Sequence, residues 1–395
     1  MASKLTTTQI NTIVNAAYAQ MTGQQSVETP LDLKEFCDGG SKEIGDLRDK
    51  LTGALAAVIA KNWYTDSSYR SEYKDDFFVD EQAFGAITQM ISVTVPEVKE
   101  NPAWNSFTSG VSTVGTYTVY LPAVETRYYT KQTAWSLPIT IKGDQMAQAF
   151  RSAGDLASFV NYVWVMVDNA MVQHMKDMDN LNRANFIAEK INANETGVAG
   201  IHVFDPVKEY AIQKGLSSMT VNEFMNNKEA MIFGSEQFKN LIDYMREQTA
   251  LFNTAGKVRF TPEDRLVVQI LGQFENRMAA VAESSTFHKE LISLPKHSTV
   301  AAWQSMEDLS FNGVSSINVT ISDGAGGEKT IRQGGIVGLI ADSWAIMHTI
   351  VTKRVGSQHF DIENLDIFSM QQVDKYMNNL DMNAIVIVLN NYTAG

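Results

Sequence analysis

The chain offers few groups at spacings that support chemistry. The nearest approach to a phosphate-binding loop is SDGAGGEKTI, Ser322 to Ile331. A P-loop sets glycine directly before its lysine so that backbone N–H groups can wrap the phosphates, and a helix follows. Here Glu328 precedes Lys329, placing a negative charge where phosphate would lie, and the following TIRQGG is strand-like. The stretch reads as a tight hairpin turn. The six histidines, His174, His202, His288, His297, His348 and His359, form no HExxH motif, and no two of them stand at i, i+4. His174 lies on the apolar stripe of a helix and reads as a hydrogen-bonded core residue. KDMDN, Lys176 to Asn180, lacks the glycine and terminal glutamate of a calcium loop and reads as a solvated helix face. GVSTVG at Gly110 is not GxSxG, so no nucleophile elbow is marked. Cys37, in EFCDGG, stands among acidic neighbours that disfavour a thiolate. The 18 methionines read as core filler rather than a plastic binding surface. The inventory predicts no catalytic residue, no metal and no cofactor.

Composition narrows the class further. With 395 residues the chain can bury a sizeable core in one large or two modest domains. Charged residues make up only 19%, so much of the surface must be neutral polar or covered. A net charge of −13 without a Lys/Arg cluster argues against gripping nucleic acid through its phosphates, although an acidic wall beside DNA would keep DNA from sticking. A single cysteine excludes an intrachain disulfide and fits a reducing cytoplasm. The N-terminal residues lack the apolar core of a signal peptide, and no run reaches the roughly 18 apolar residues of a membrane span.

The elements that would position any site come in a distinctive order. Residues 1–60 read as a polar helical arm, with one helix around Ile10, Ile13, Val14 and Ala17 and a second from Glu43 to Lys61. Residues 110–142 are the clearest β region: GTYTVYLP alternates, and ETRYYTKQTAWSLPITIK is rich in aromatic and β-branched residues. They read as a long hairpin with little core of its own, unstable alone. A proline-free helix follows, from Gly154 to about Asn194. Its stripe is Leu156, Val160, Val163, Val167, Ala170, His174, Met178 and Leu181. At 1.5 Å per residue it would be about 60 Å long, so it is a beam of an elongated molecule or part of a coiled coil. Residues 220–252 read as helical, Leu266–Leu271 as a buried strand running into a helix, 316–333 as a hairpin, and IVGLIADSWAIM and AIVIVL as buried strands. Without regular βαβ alternation the fold class is α+β.

This order resembles the major capsid protein of tailed bacteriophages, the Hong Kong ninety-seven fold. The most specific stretch is Leu137 to Met171, similar to the passage from that family's extended loop (E-loop) into its spine helix. DDFFVDEQAFGAI, PEDRLVVQILGQFENRM and NNLDMNAIVIVLNN resemble short-tailed, phi-twenty-nine-like members. The resemblance implies an N-terminal arm (1–60), a peripheral P-domain (61–100 and 143–260) with its spine helix at about 154–194, an E-loop hairpin (101–142), an axial A-domain (261–345) and a return through 346–395 ending in a strand. It implies a structural virion protein, not an enzyme, whose pentamers and hexamers form an icosahedral shell around double-stranded DNA. Its partners would be further copies, a separate scaffolding protein, a portal protein and DNA held by proximity, with no membrane; assembly would occur in the bacterial cytoplasm. The hairpin would lie across a neighbouring subunit and bury Tyr117, Tyr120, Tyr128, Tyr129 and Trp135 there. Some members use a lysine–asparagine crosslink, and Lys131 in the hairpin is suggestive of one by position only. Another phage structural subunit, such as a tail-tube or layer-forming protein, is the alternative, and a cytosolic α+β enzyme a more distant one.

Overall fold

The computed structural model describes residues 75–79, 87–93, 124–142, 153–283, 295–322, 327–360 and 365–394. The expected arm helices, Cys37 and the strand GTYTVYLP lie outside them. In chain order the α-helices and strands are β1 (Thr88–Val93), β2 (Val124–Tyr129), β3 (Thr133–Lys142), α1 (Ala153–Glu195), β4 (Val203–Phe204), α2 (Pro206–Lys214), β5 (Ser218–Met219), α3 (Val221–Asn226) and α4 (Lys228–Arg246). There follow β6 (Leu266–Leu271), α5 (Gly272–Glu283), β7 (Ser298–Val300), α6 (Phe311–Val314), β8 (Ile317–Ser322), β9 (Glu328–Gln333), β10 (Ile336–Asp342), β11 (Ile346–Phe360), β12 (Leu365–Asn378), β13 (Ala384–Val388) and β14 (Tyr392–Thr393). They form two compact units. No helix among the described residues is long and apolar enough to cross a membrane.

The first unit draws on described residues within Met1–Phe84, Gln132–Asp179 and His348–Lys375. Its sheet has the order β11-β12-β3, and β12 pairs antiparallel with β3 from Leu365↔Lys142 to Asp374↔Thr133. Residues 133–142, expected in the hairpin, are paired along one edge with β12. The reason is burial: Trp135, Leu137 and Ile139 alternate onto one face and pack on Val167 and Met171 of α1 and on Met370. The segment 75–79 is stitched to β11, where His348 N donates to Phe77 O at 3.1 Å and Val79 N to His348 O at 2.8 Å.

Helix α1 spans 43 residues, about 65 Å at the standard rise, as the proline-free run predicts. Its buried face differs from the expected stripe. Ala170 and Leu181 are exposed, while Val167, Met171, Met175 and Asp179 are buried in the first unit and Arg183, Phe186, Ile187, Lys190 and Ile191 in the second. The buried row is rotated by about one position because it includes Asp, Arg and Lys, which apolar periodicity passes over. Asp179 in particular is 3% exposed, so KDMDN is not wholly a solvated face.

The second unit draws on described residues within Gly85–Lys131, Asn180–Met347 and Tyr376–Gly395. Its five-stranded sheet has the order β4-β13-β10-β6-β7, with β10 antiparallel to both β13 and β6. Strands β10 and β13 are buried throughout, as their continuous apolar runs require. Helix α4 covers the sheet with Phe238, and a Cβ on Gly338 of β10 would lie 2.7 Å from that ring, so only glycine lets helix and sheet approach this closely. Helix starts follow local chemistry. Asp205 caps α2 ahead of Pro206, Thr220 and Glu223 form a capping box on α3, and Asn227 both ends α3 and caps α4. Strands β8 and β9 pair from Ile317↔Gln333 to Ser322↔Glu328, the hairpin expected from the glycine-rich stretch.

Candidate assembly surface and the polar groups behind it

Strands β1 and β2 form an antiparallel ribbon in register from Thr88↔Tyr129 to Val93↔Val124. Directly opposed residues share a face. One face carries Gln89, Ile91 and Val93 opposite Tyr128, Thr126 and Val124. All six are exposed, with Ile91 at 62% and Tyr128 at 63%. The other face carries Thr88, Met90 and Ser92 opposite Tyr129, Arg127 and Glu125, and this face is tied to the body of the second unit. Arg127 Nη2 donates to Asp381 Oδ1 at 2.6 Å, and the Tyr129 hydroxyl donates to Asn378 O at 3.3 Å. Lys257 Nζ donates to Glu125 and, at 3.4 Å, to Ser92 Oγ. A two-stranded ribbon is marginal alone; here polar anchors hold it by one face while the other presents a row of apolar side chains to solvent.

The anchors are preorganised. Asn253, fully buried, accepts from Lys257 N at 2.9 Å and donates to Lys257 O at 2.7 Å, fixing the turn that aims Lys257 at Glu125. The hydrogen bond from Lys257 holds the Glu125 carboxyl below its ordinary range. Asp381 is 4% exposed, and its charge is met by Arg127. Lys190 of α1 is wholly buried. Its Nζ donates to Phe252 O at 3.0 Å and lies 5.8 Å from the Phe186 ring centroid. Burial pushes the amine down to about 7, against the pull of the Asp381 charge.

A second polar cluster sits inside the first unit. His348 of β11 has Nδ1 2.9 Å from Asp179 Oδ1 of α1 and Nε2 3.8 Å from Asp374 Oδ1 of β12, and all three side chains are 0–2% exposed. Both carboxylates act on the ring through hydrogen bonding and through charge. Burial alone would push the ring down, but the two carboxylates outweigh it and hold the ring up at about 9. Asp374 also accepts from Gln372 Nε2 at 2.7 Å and Trp135 Nε1 at 2.6 Å.

Of the five aromatic residues singled out from the sequence, three lie among the described residues. Tyr117 and Tyr120 lie outside the described residues. Tyr128 is on the open face of the ribbon and Tyr129 on its anchored face. Trp135 is in β3, half-buried within its own unit, with its ring 4.7 Å from that of His174. Lys131 is exposed just past β2. Lys329, the lysine of the glycine-rich stretch, donates to Asn192 Oδ1 at 2.8 Å and Glu195 Oε2 at 2.9 Å, supplying a cation to the last turn of α1, which has no basic residue of its own. Sequence reasoning missed Arg127, Asp179, Lys190, His348, Asp374 and Asp381. The available signal was that Asp179 and Lys190 continue the helical row of Val167, Met171, Met175 and Phe186.

A family model for Phi29-like phage major capsid protein matches residues 10–388. No curated protein matches significantly. Among solved structures the chain is similar to the capsid of Staphylococcus phage Andhra, at 12% identity and a TM-score of 0.51 over 81% of this chain and 84% of that one. It is also similar to the capsid of cyanophage P-SCSP1u, at 12% identity and a TM-score of 0.44 over 80% and 88%. The Andhra likeness is one of fold, and it agrees with the α+β tailed-phage capsid architecture expected from the order of elements. Matched along nearly its whole length, the chain belongs to the Phi29-like phage major capsid protein family and is a structural subunit of a phage capsid.

Proposed function

We propose that copies of this chain form the pentamers and hexamers of an icosahedral shell around double-stranded DNA, with ribbon β1–β2 as the root of an extended loop that lies on a neighbouring copy. The observation that carries the reading is the two-faced ribbon: polar anchors on one side, and Ile91, Val93, Val124 and Tyr128 open on the other. Apolar rows of this kind gain most of their burial from a partner. Each contact is modest, and the shell is stable through many repeated copies. In this reading Tyr117 and Tyr120 are buried on assembly, residues 61–100 and 143–260 serve as the P-domain, and 261–345 as the A-domain. The chain acts without catalysis. A separate scaffolding protein and a portal protein are its assembly partners in the bacterial cytoplasm, and the net charge of −13 lets packaged DNA slide along the wall. Electron microscopy of the chain co-expressed with its scaffold tests this. Closed shells are expected, and a monomer under every condition would overturn it.

A further inference from the structure

The anchored side of the ribbon contains a buried charge with two possible counter-ions. Asp381 sits in the loop between β12 and β13 and is bound by Arg127, whose side chain is 47% exposed. Lys190 belongs to the same construction. Its acceptor, Phe252 O, also accepts from Ala384 N at 2.9 Å, and Thr254 N donates to Leu380 O at 3.1 Å. The segment that holds the lysine nitrogen therefore also holds the Asp381 loop. One cation bonds Asp381 from the ribbon, and the amine of the other lies in the interior on the carbonyl of Phe252.

We propose that this seat is a proton-linked latch: Arg127 fastens the ribbon to Asp381, and buried Lys190 takes up a proton when Arg127 leaves. For its role in assembly the latch rests on the reading of the ribbon as the shell-forming surface. The physical argument is the cost of an unpaired buried carboxylate. With Arg127 in place, Asp381 is matched and Lys190 can remain neutral in its apolar pocket beside Phe186. Once Arg127 withdraws, Asp381 is uncompensated, and a charged Lys190, already drawn by its field, compensates it. Proton uptake then accompanies release, so by linkage lower pH favours release. The other charged or titratable groups facing this region are His202, from the segment after α1, Glu189 on α1 itself, Tyr129 on β2, and Lys257 and Arg259 on the 249–259 segment. Burial first, and then Lys190 when charged, push His202 down, and burial pushes Glu189 up.

Hydrogen exchange of the full chain, kept unassembled and read by mass spectrometry on peptides covering 87–93 and 124–130, tests this. Rates are corrected for intrinsic pH dependence. The wild-type ribbon should exchange about fivefold faster at pH 6 than at pH 8. Lys190→Met should abolish that difference, and Arg127→Met should exchange fast at both values. Equal wild-type protection at the two pH values overturns the latch. So does a Lys190→Met ribbon that keeps the wild-type difference, since His202 or another group would then be responsible. If Lys190→Met loses protection in β10 and β13 and is misfolded, Asp381→Asn replaces it: fast, pH-independent exchange is expected, and a retained difference overturns the proposal. Shell formation is scored separately by microscopy, so failure of one reading is distinguishable from failure of the other.

Discussion

His348 Nδ1 lies 2.9 Å from Asp179 Oδ1, and both side chains are 2% exposed. The contact joins the 43-residue helix, just past its midpoint, to β11, and through the backbone of His348 to the segment at Phe77. A charged ring between two buried carboxylates has a definite pH signature. Its folded value, about 9, lies above the ordinary 6.5, so its contribution to stability is fully present below about pH 6.5 and is lost as pH rises through 9. The loss should be about 3 kcal/mol. Denaturant midpoints of the unassembled wild-type chain should fall between pH 7 and 10, and His348→Gln should remove most of that slope.

The ribbon separates assembly from folding. Ile91→Asp and Val124→Asp change side chains that already face solvent, so the isolated chain should keep its stability within about 0.5 kcal/mol. Both should sharply reduce shell yield, because the charge must then be buried against a neighbour. Thermal melting of the monomer and particle counts by electron microscopy check the two halves.

Trp135 gives the opposite pattern. Its Nε1 donates to Asp374 Oδ2 at 2.6 Å inside its own unit. Trp135→Phe keeps the ring and leaves a buried carboxylate oxygen short of a donor, at a cost of about 1–3 kcal/mol in the unassembled chain. Shell yield should fall only as far as folding does. Assembly lost at unchanged monomer stability would place Trp135 at a subunit contact instead.

Gly338→Ala tests the packing of α4 on the sheet. The added methyl would lie 2.7 Å from the Phe238 ring, and a loss of about 1–3 kcal/mol is expected in urea unfolding. Phe238→Leu in the same chain should restore part of it.

Long, uninterrupted signals were legible in the residue order alone. The absence of proline across Gly154 to Asn194 specified one unbroken helix, the apolar runs at 336–342 and 384–388 specified buried strands, and the residues flanking the glycine-rich stretch specified a paired hairpin. These depend on local backbone preferences and on hydropathy period, which a chain carries without reference to its fold. Pairing was different. β3 reads as the second arm of a hairpin, and its pairing with β12, more than 200 residues away, and its packing on α1 have no signature in the local pattern. The charged residues on the buried face of α1 were hidden for a related reason. Asp179 and Lys190 are tolerable inside only because His348 and Phe252 O, distant in the chain, meet them there. Likewise the two-faced character of β1–β2 exists only once Asp381 and Lys257 have arrived beneath it. Local sequence determined which elements form, and long-range burial and charge compensation decided which faces they hide and which they leave open to another copy.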